Sequence, residues 1–189
     1  VDIDLTYLLL GNREESLGNI SQALERIKYK LEKAFPEIGI IHLVKESKLI
    51  IRKASVEIKI EVNQIKRACF AKPILMNLCA KAQEDFDSFC EIQVVEVGHL
   101  FGGKICAAID RQHPRDLFDV NYMLKVKGFT EAIKKGFIFY LISSNRPIVE
   151  MLFPKFQDQR TSFDNQFRGM TEEPFTYKEF EQTRHKLLK

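Results

Sequence analysis

At 189 residues, 45% of them hydrophobic and 29% charged, the chain can bury one core or two small ones, and its composition argues against disorder. No apolar run approaches the roughly 20 residues that span a bilayer, and the opening Val1-Asp2-Ile3-Asp4 lacks the basic flank and apolar stretch of a signal peptide. No membrane partner and a cytoplasmic address are therefore expected. The formal net charge is +3 with no Arg/Lys-rich block, which permits a polyanionic partner without requiring one.

The run from Val1 to Leu10 reads as a short opening strand. Leu17, Ile20, Leu24, Ile27, Leu31 and Phe35 recur at three-to-four spacing, which predicts an amphipathic helix over 14–35, ended by Pro36. Three β-rich runs follow, at 38–44, 48–53 and 55–63, and their short links predict an antiparallel meander. Residues 67–87 are poorly patterned, and 91–97 reads as a further strand. From Gly98 onward the periodicity is helical, at 100–110, 114–125, 130–142 and from Tyr177. The expected division is a sheet domain over 1–98 and a helical carboxy-terminal region over 99–189. The chain opens without methionine inside a strand and closes on Lys189 inside a helix, so trimming at one or both ends is expected.

Cys69, Cys79, Cys90 and Cys106 form no CxxC and have no histidine at ligand spacing, which predicts reduced packing residues. His42, His99, His113 and His185 are isolated and are expected at the surface or at caps, with His113 as a helix-entry residue before Pro114.

The chemistry resides in the acids. In Val1-Asp2-Ile3-Asp4-Leu5 the period of two puts Asp2 and Asp4 on one strand face. Such a pair is either the solvated face of an edge strand or a clamp for a hard cation such as Mg²⁺. The alternating run 56–63 places Glu57, Lys59, Glu61 and Asn63 on one face, and Glu61 joins the aspartates if the strands are neighbours. Three convergent carboxylates suit metal-assisted displacement at phosphorus.

Gly98 to Ile105 fits the phosphate-loop pattern GxxxxGK[ST] except at Ile105, which has no hydroxyl for Mg²⁺, so an NTP-hydrolysing loop is not expected. Lys104 begins a helix with small residues behind it. Pro114 at a first helical position and Asp116 in the first turn mark a helix restart, with Asp116 and Asp119 sharing a face. Arg111 and Arg115 either pair with local acids or bind substrate.

Taken in order, residues 1–7 (Val-Asp-Ile-Asp-Leu-Thr-Tyr), 58–63 (Ile-Lys-Ile-Glu-Val-Asn), 102–111 (Gly-Gly-Lys-Ile-Cys-Ala-Ala-Ile-Asp-Arg), 114–120 (Pro-Arg-Asp-Leu-Phe-Asp-Val) and 167–171 (Phe-Arg-Gly-Met-Thr) resemble the motifs of the AbiEii/AbiGii toxins of the nucleotidyltransferase superfamily. The resemblance implies an α+β nucleotidyltransferase-like fold, a small mixed sheet flanked by helices, followed by a helical carboxy-terminal region, with the site in the cleft between them. It implies Mg²⁺ held by Asp2, Asp4 and Glu61, phosphates contacted by Lys104, and Asp116 as a base or a completing carboxylate with Asp119 as companion. An NTP donor, a tRNA acceptor and a cognate antitoxin are the implied partners. The superfamily's Gly-Gly or Gly-Ser turn, about ten residues before such an aspartate pair, where backbone amides cradle the triphosphate, is not in this sequence. The alternatives are a noncatalytic interaction module with the same fold and a nucleotidyltransferase acting on a small molecule.

Overall fold

The structure, a computed structural model, describes residues 2–64 and 68–188. It has two compact units, Val1–Cys69 and Phe70–Lys189. The change of element type near residue 98 is a different line from this one, because the segment 70–98 clusters with the helices.

In the first unit the elements are β1 (Asp2–Leu5), α1 (Arg13–Ala34), β2 (Gly39–Leu43), a 3-10 turn (Val44–Glu46), β3 (Lys48–Lys53) and β4 (Val56–Val62). Asn12 caps α1, its Oδ1 accepting from the Glu15 amide at 2.8 Å, while Glu14 and Glu15 favour the positive end of the helix dipole. The sheet order is β1-β4-β3-β2, with β2, β3 and β4 antiparallel as the meander predicts and β1 parallel to β4. This is the small mixed sheet expected. One face, carrying Leu5, Ile40, Leu49, Ile60 and Val62, packs against Ile20 and Leu24 of α1. By the alternation of strands, Asp2, Asp4, Lys59, Glu61 and Lys48 stand on the other face.

The second unit holds β5 (Ile74–Asn77), α2 (Ala80–Phe86), β6 (Glu91–Val94), α3 (Val97–Arg111), α4 (Pro114–Val126), α5 (Glu131–Ile142), α6 (Ile148–Leu152), α7 (Arg160–Gln166) and α8 (Tyr177–Leu187). The poorly patterned stretch thus contains β5 and α2, a four-residue strand and a seven-residue helix. Both are too short and too exposed to display a period. A large apolar core built on Ile105, Leu117, Met123, Ile133, Phe163 and Phe180 joins α3, α4, α5, α7 and α8. No helix among the described residues is long and apolar enough to cross a membrane. The opening strand from Val1 and the closing helix to Lys189 reach residues outside those described.

Candidate functional site

The parallel pairing of β1 with β4 sets Asp4 level with Glu61 and Asp2 level with Lys59. The three acids therefore share one sheet face on neighbouring strands, the adjacency that sequence leaves open. Asp2 and Asp4 are exposed. Their side chains have no hydrogen-bond or ion-pair partner among the described residues. Glu61 is engaged: Lys48 Nζ stands 2.9 Å from its Oε2, with Glu46 Oε2 at 3.8 Å. Glu61 holds the Lys48 ammonium above the usual lysine range, and the more distant charges of Glu46 and Asp2 add to it. Among the described residues no three His, Cys, Asp or Glu side chains gather closely enough to hold a metal ion. The backbone aligns three oxygen donors, the donor type that Mg²⁺ prefers, but the Glu61 carboxylate is turned onto Lys48. The donor set fits Mg²⁺ provided that Glu61 can leave that lysine.

Lys48 is the residue that sequence reading missed. A signal was present. β3 and β4 are joined by the two residues Ala54 and Ser55, with Lys53 opposite Val56, and a turn that short fixes the whole register, so that Lys48 must face Glu61.

In the second unit the predicted residues meet as pairs. Lys104 on α3 reaches Asp119 on α4 at 2.5 Å, and Arg111 at the end of α3 reaches Asp116 in the first turn of α4 at 2.6 Å. Gln112, in the left-handed conformation with φ 51°, turns the chain between the helices. Its side-chain Nε2 donates to Lys155 O at 2.8 Å and its Oε1 accepts from the Gln157 backbone amide and from buried Arg184, which fixes the corner. His113 caps α4 as expected, its Nδ1 accepting from the Arg115 amide. Asp116 is 16% exposed; one oxygen accepts from Arg111, and Oδ2 is buried without a hydrogen-bond partner. An acceptor held so, with a spare lone pair, can take a proton or meet a cation. Arg115 is exposed and its guanidinium is unpaired among the described residues. The segment 167–171 borders a hollow of about 440 Å³ with Arg160 and Tyr177, away from these pairs in the sequence.

Two expectations need correcting. Cys79 and Cys90 are exposed and Cys69 is half-buried, so among the four only Cys106 is fully a packing thiol. His99 is neither at the surface nor at a cap: it is 1% exposed, with Nε2 2.6 Å from the Tyr140 hydroxyl. The Gly-rich segment is no phosphate loop, since Gly98 and Gly102 lie within α3. A Cβ on Gly102 would run into the backbone of Gly136 on α5, and one on Gly98 into that of Ala132. The glycines let two helices touch backbone to backbone.

A family model described as nucleotidyl transferase AbiEii toxin, Type IV TA system, matches residues 1–187. The chain belongs to this family. It is thus a nucleotidyltransferase-family toxin of a toxin–antitoxin system, with the α+β architecture expected of that fold, and the family implies a cognate antitoxin. No curated protein and no solved structure matches the chain.

Proposed function

We propose that this AbiEii-family chain transfers a nucleotide from an NTP to an acceptor of the tRNA class, using Mg²⁺ held by Asp2, Asp4 and Glu61. The observation that carries this reading is the register that sets Asp4 beside Glu61, with Asp2 two residues away on the same face. A bound divalent ion would supply charge neutralisation at the triphosphate and an activated attacking oxygen. The chain's own groups have distinct tasks. Asp2 and Asp4, with no hydrogen-bond or ion-pair partner among the described residues, present their oxygens without first having to break a bond. Lys104 exchanges Asp119 for a phosphate oxygen, since both members of that pair are partly exposed, at 38% and 40%. Asp116, whose Oδ1 faces the exposed Arg111 while Oδ2 is buried, accepts the proton of the acceptor hydroxyl on Oδ1 as Arg111 gives way. Unpaired Arg115 meets the acceptor's phosphates, in keeping with the net charge of +3.

The test is incubation with each radiolabelled NTP, Mg²⁺ and total tRNA, beside an Asp2→Asn/Asp4→Asn variant. We expect label on RNA, reduced about a thousand-fold in the variant, since loss of several kcal/mol of metal stabilisation costs a factor of ten per 1.36 kcal/mol. Label on a small molecule instead would redirect the acceptor assignment. No transfer and no Mg²⁺-dependent NTP binding would refute the enzyme reading in favour of a binding module.

A further inference from the structure

Lys48 enters the carboxylate face from β3, a strand that contributes no acid to the proposed metal set. Its position is built in. The hairpin register puts it opposite Glu61, and the turn before it is tied down from the far end of β4. Ser47, 2% exposed, adopts the left-handed conformation with φ 51°, which costs a non-glycine residue free energy that surrounding contacts must offset. Those contacts are present: Ser47 O accepts from the Val62 amide at 3.0 Å, and the Gln64 side chain donates to both Ser47 Oγ (2.9 Å) and Lys45 O (2.8 Å). The Lys48 side chain is only 24% exposed, and its ammonium lies 2.9 Å from Glu61 Oε2. Other lysines of the sheet are not used this way. Lys53 pairs with Glu37, outside the acid face, and Lys59 leans toward Glu57 at 3.8 Å.

We infer that Lys48 is an internal counter-cation for Glu61, one that a divalent ion must displace from that carboxylate, so that it sets the metal affinity of the site. Asp2 and Asp4 form the open half of the site and Glu61 the latched half. A divalent ion arriving at the aspartates competes with one ammonium for the third carboxylate. The exchange is a ligand swap: the Lys48–Glu61 ion pair breaks, a metal–oxygen contact forms, and Lys48 keeps its proton and is left facing the added charge. Lys48 is thus a positioning residue, acting on the reaction through Glu61.

This inference rests on the metal reading above, and direct metal binding separates the two. Mn²⁺ alone would be titrated against the native 189-residue chain and the Lys48→Met, Lys48→Arg, Lys53→Met and Asp2→Asn/Asp4→Asn variants, following free Mn²⁺ by electron paramagnetic resonance, with thermal melts to confirm folding. Lys48→Met should bind Mn²⁺ about fivefold more tightly, the scale of a partly exposed ion pair. Lys48→Arg should stay close to native because it restores the cation. Lys53→Met, which removes the same charge from elsewhere on the sheet, should also be unchanged. Native binding that is lost in the aspartate variant but unaltered or weakened in Lys48→Met overturns the latch and leaves the metal site standing. A Lys53→Met effect equal to that of Lys48→Met reduces the latch to a general charge effect. Binding by none of the chains overturns both the latch and the metal reading.

Discussion

His99 shows how a single side chain couples this fold to pH. Burial lowers its pKa from the ordinary histidine value of about 6.5, against a smaller raising influence from Glu96. The neutral ring faces the Tyr140 hydroxyl through Nε2, while its Nδ1 is buried with no hydrogen-bond partner among the described residues. Because the folded pKa is depressed, the unfolded chain takes up a proton first as pH falls. The contribution to stability is therefore complete above about pH 6.5 and is lost on acidification through the folded pKa. Melting temperatures measured from pH 7.5 to pH 5 should fall more steeply for the native chain than for a His99→Asn variant, which keeps an acceptor for Tyr140 but cannot titrate. Equal slopes would show that His99 does not carry this dependence. Nothing in the sequence marks His99 as buried, since the rings around it come from two distant segments, Phe70 from one and Phe139 and Tyr140 of α5 from the other.

Among the elements, α3 and α5 are joined by absence of side chains. Gly102→Ala would force a methyl group into the Gly136 backbone and should cost about 3 kcal/mol or more, the upper range of overpacking, because backbone cannot turn aside as a side chain can. Gly18, exposed within α1 with nothing near its missing Cβ, should behave oppositely, Gly18→Ala adding about 0.5–1 kcal/mol. Urea midpoints for the two variants measure both, and a tolerated Gly102→Ala would mean that the helices can move apart. The long periodic elements were legible: α1 begins and ends within one residue of the predicted 14–35, and β3 spans Lys48–Lys53 as read. α6 and α7, of five and seven residues, were not, because neither is long enough to repeat a face. At the candidate site the acids could be named from alternation, but not the parallel pairing of β1 with β4, which depends on a crossover through α1, β2 and β3.

The two units differ in how much they bury. Among the described residues, buried apolar residues packed together in the first number four, Ile20, Leu24, Leu49 and Val62, against fifteen in the core of the second. Local stability follows buried apolar contact, so amide hydrogen exchange should be faster across β1–β4 than along α3 and α5, and the reverse order would contradict this account of the cores. The proposed metal-binding acids thus belong to the more lightly anchored part of a toxin. The sheet's outer strand has a further consequence. β1 lies at an edge among the described residues, with backbone groups that a second strand could pair with, and Asp2 and Asp4 are exposed on it. The two negative charges that would draw in a metal ion also repel a neighbouring molecule's edge and so discourage aggregation. Replacing both with asparagine removes that protection together with the proposed ligands, and an inactivated toxin made in this way is the form that will be hardest to keep in solution.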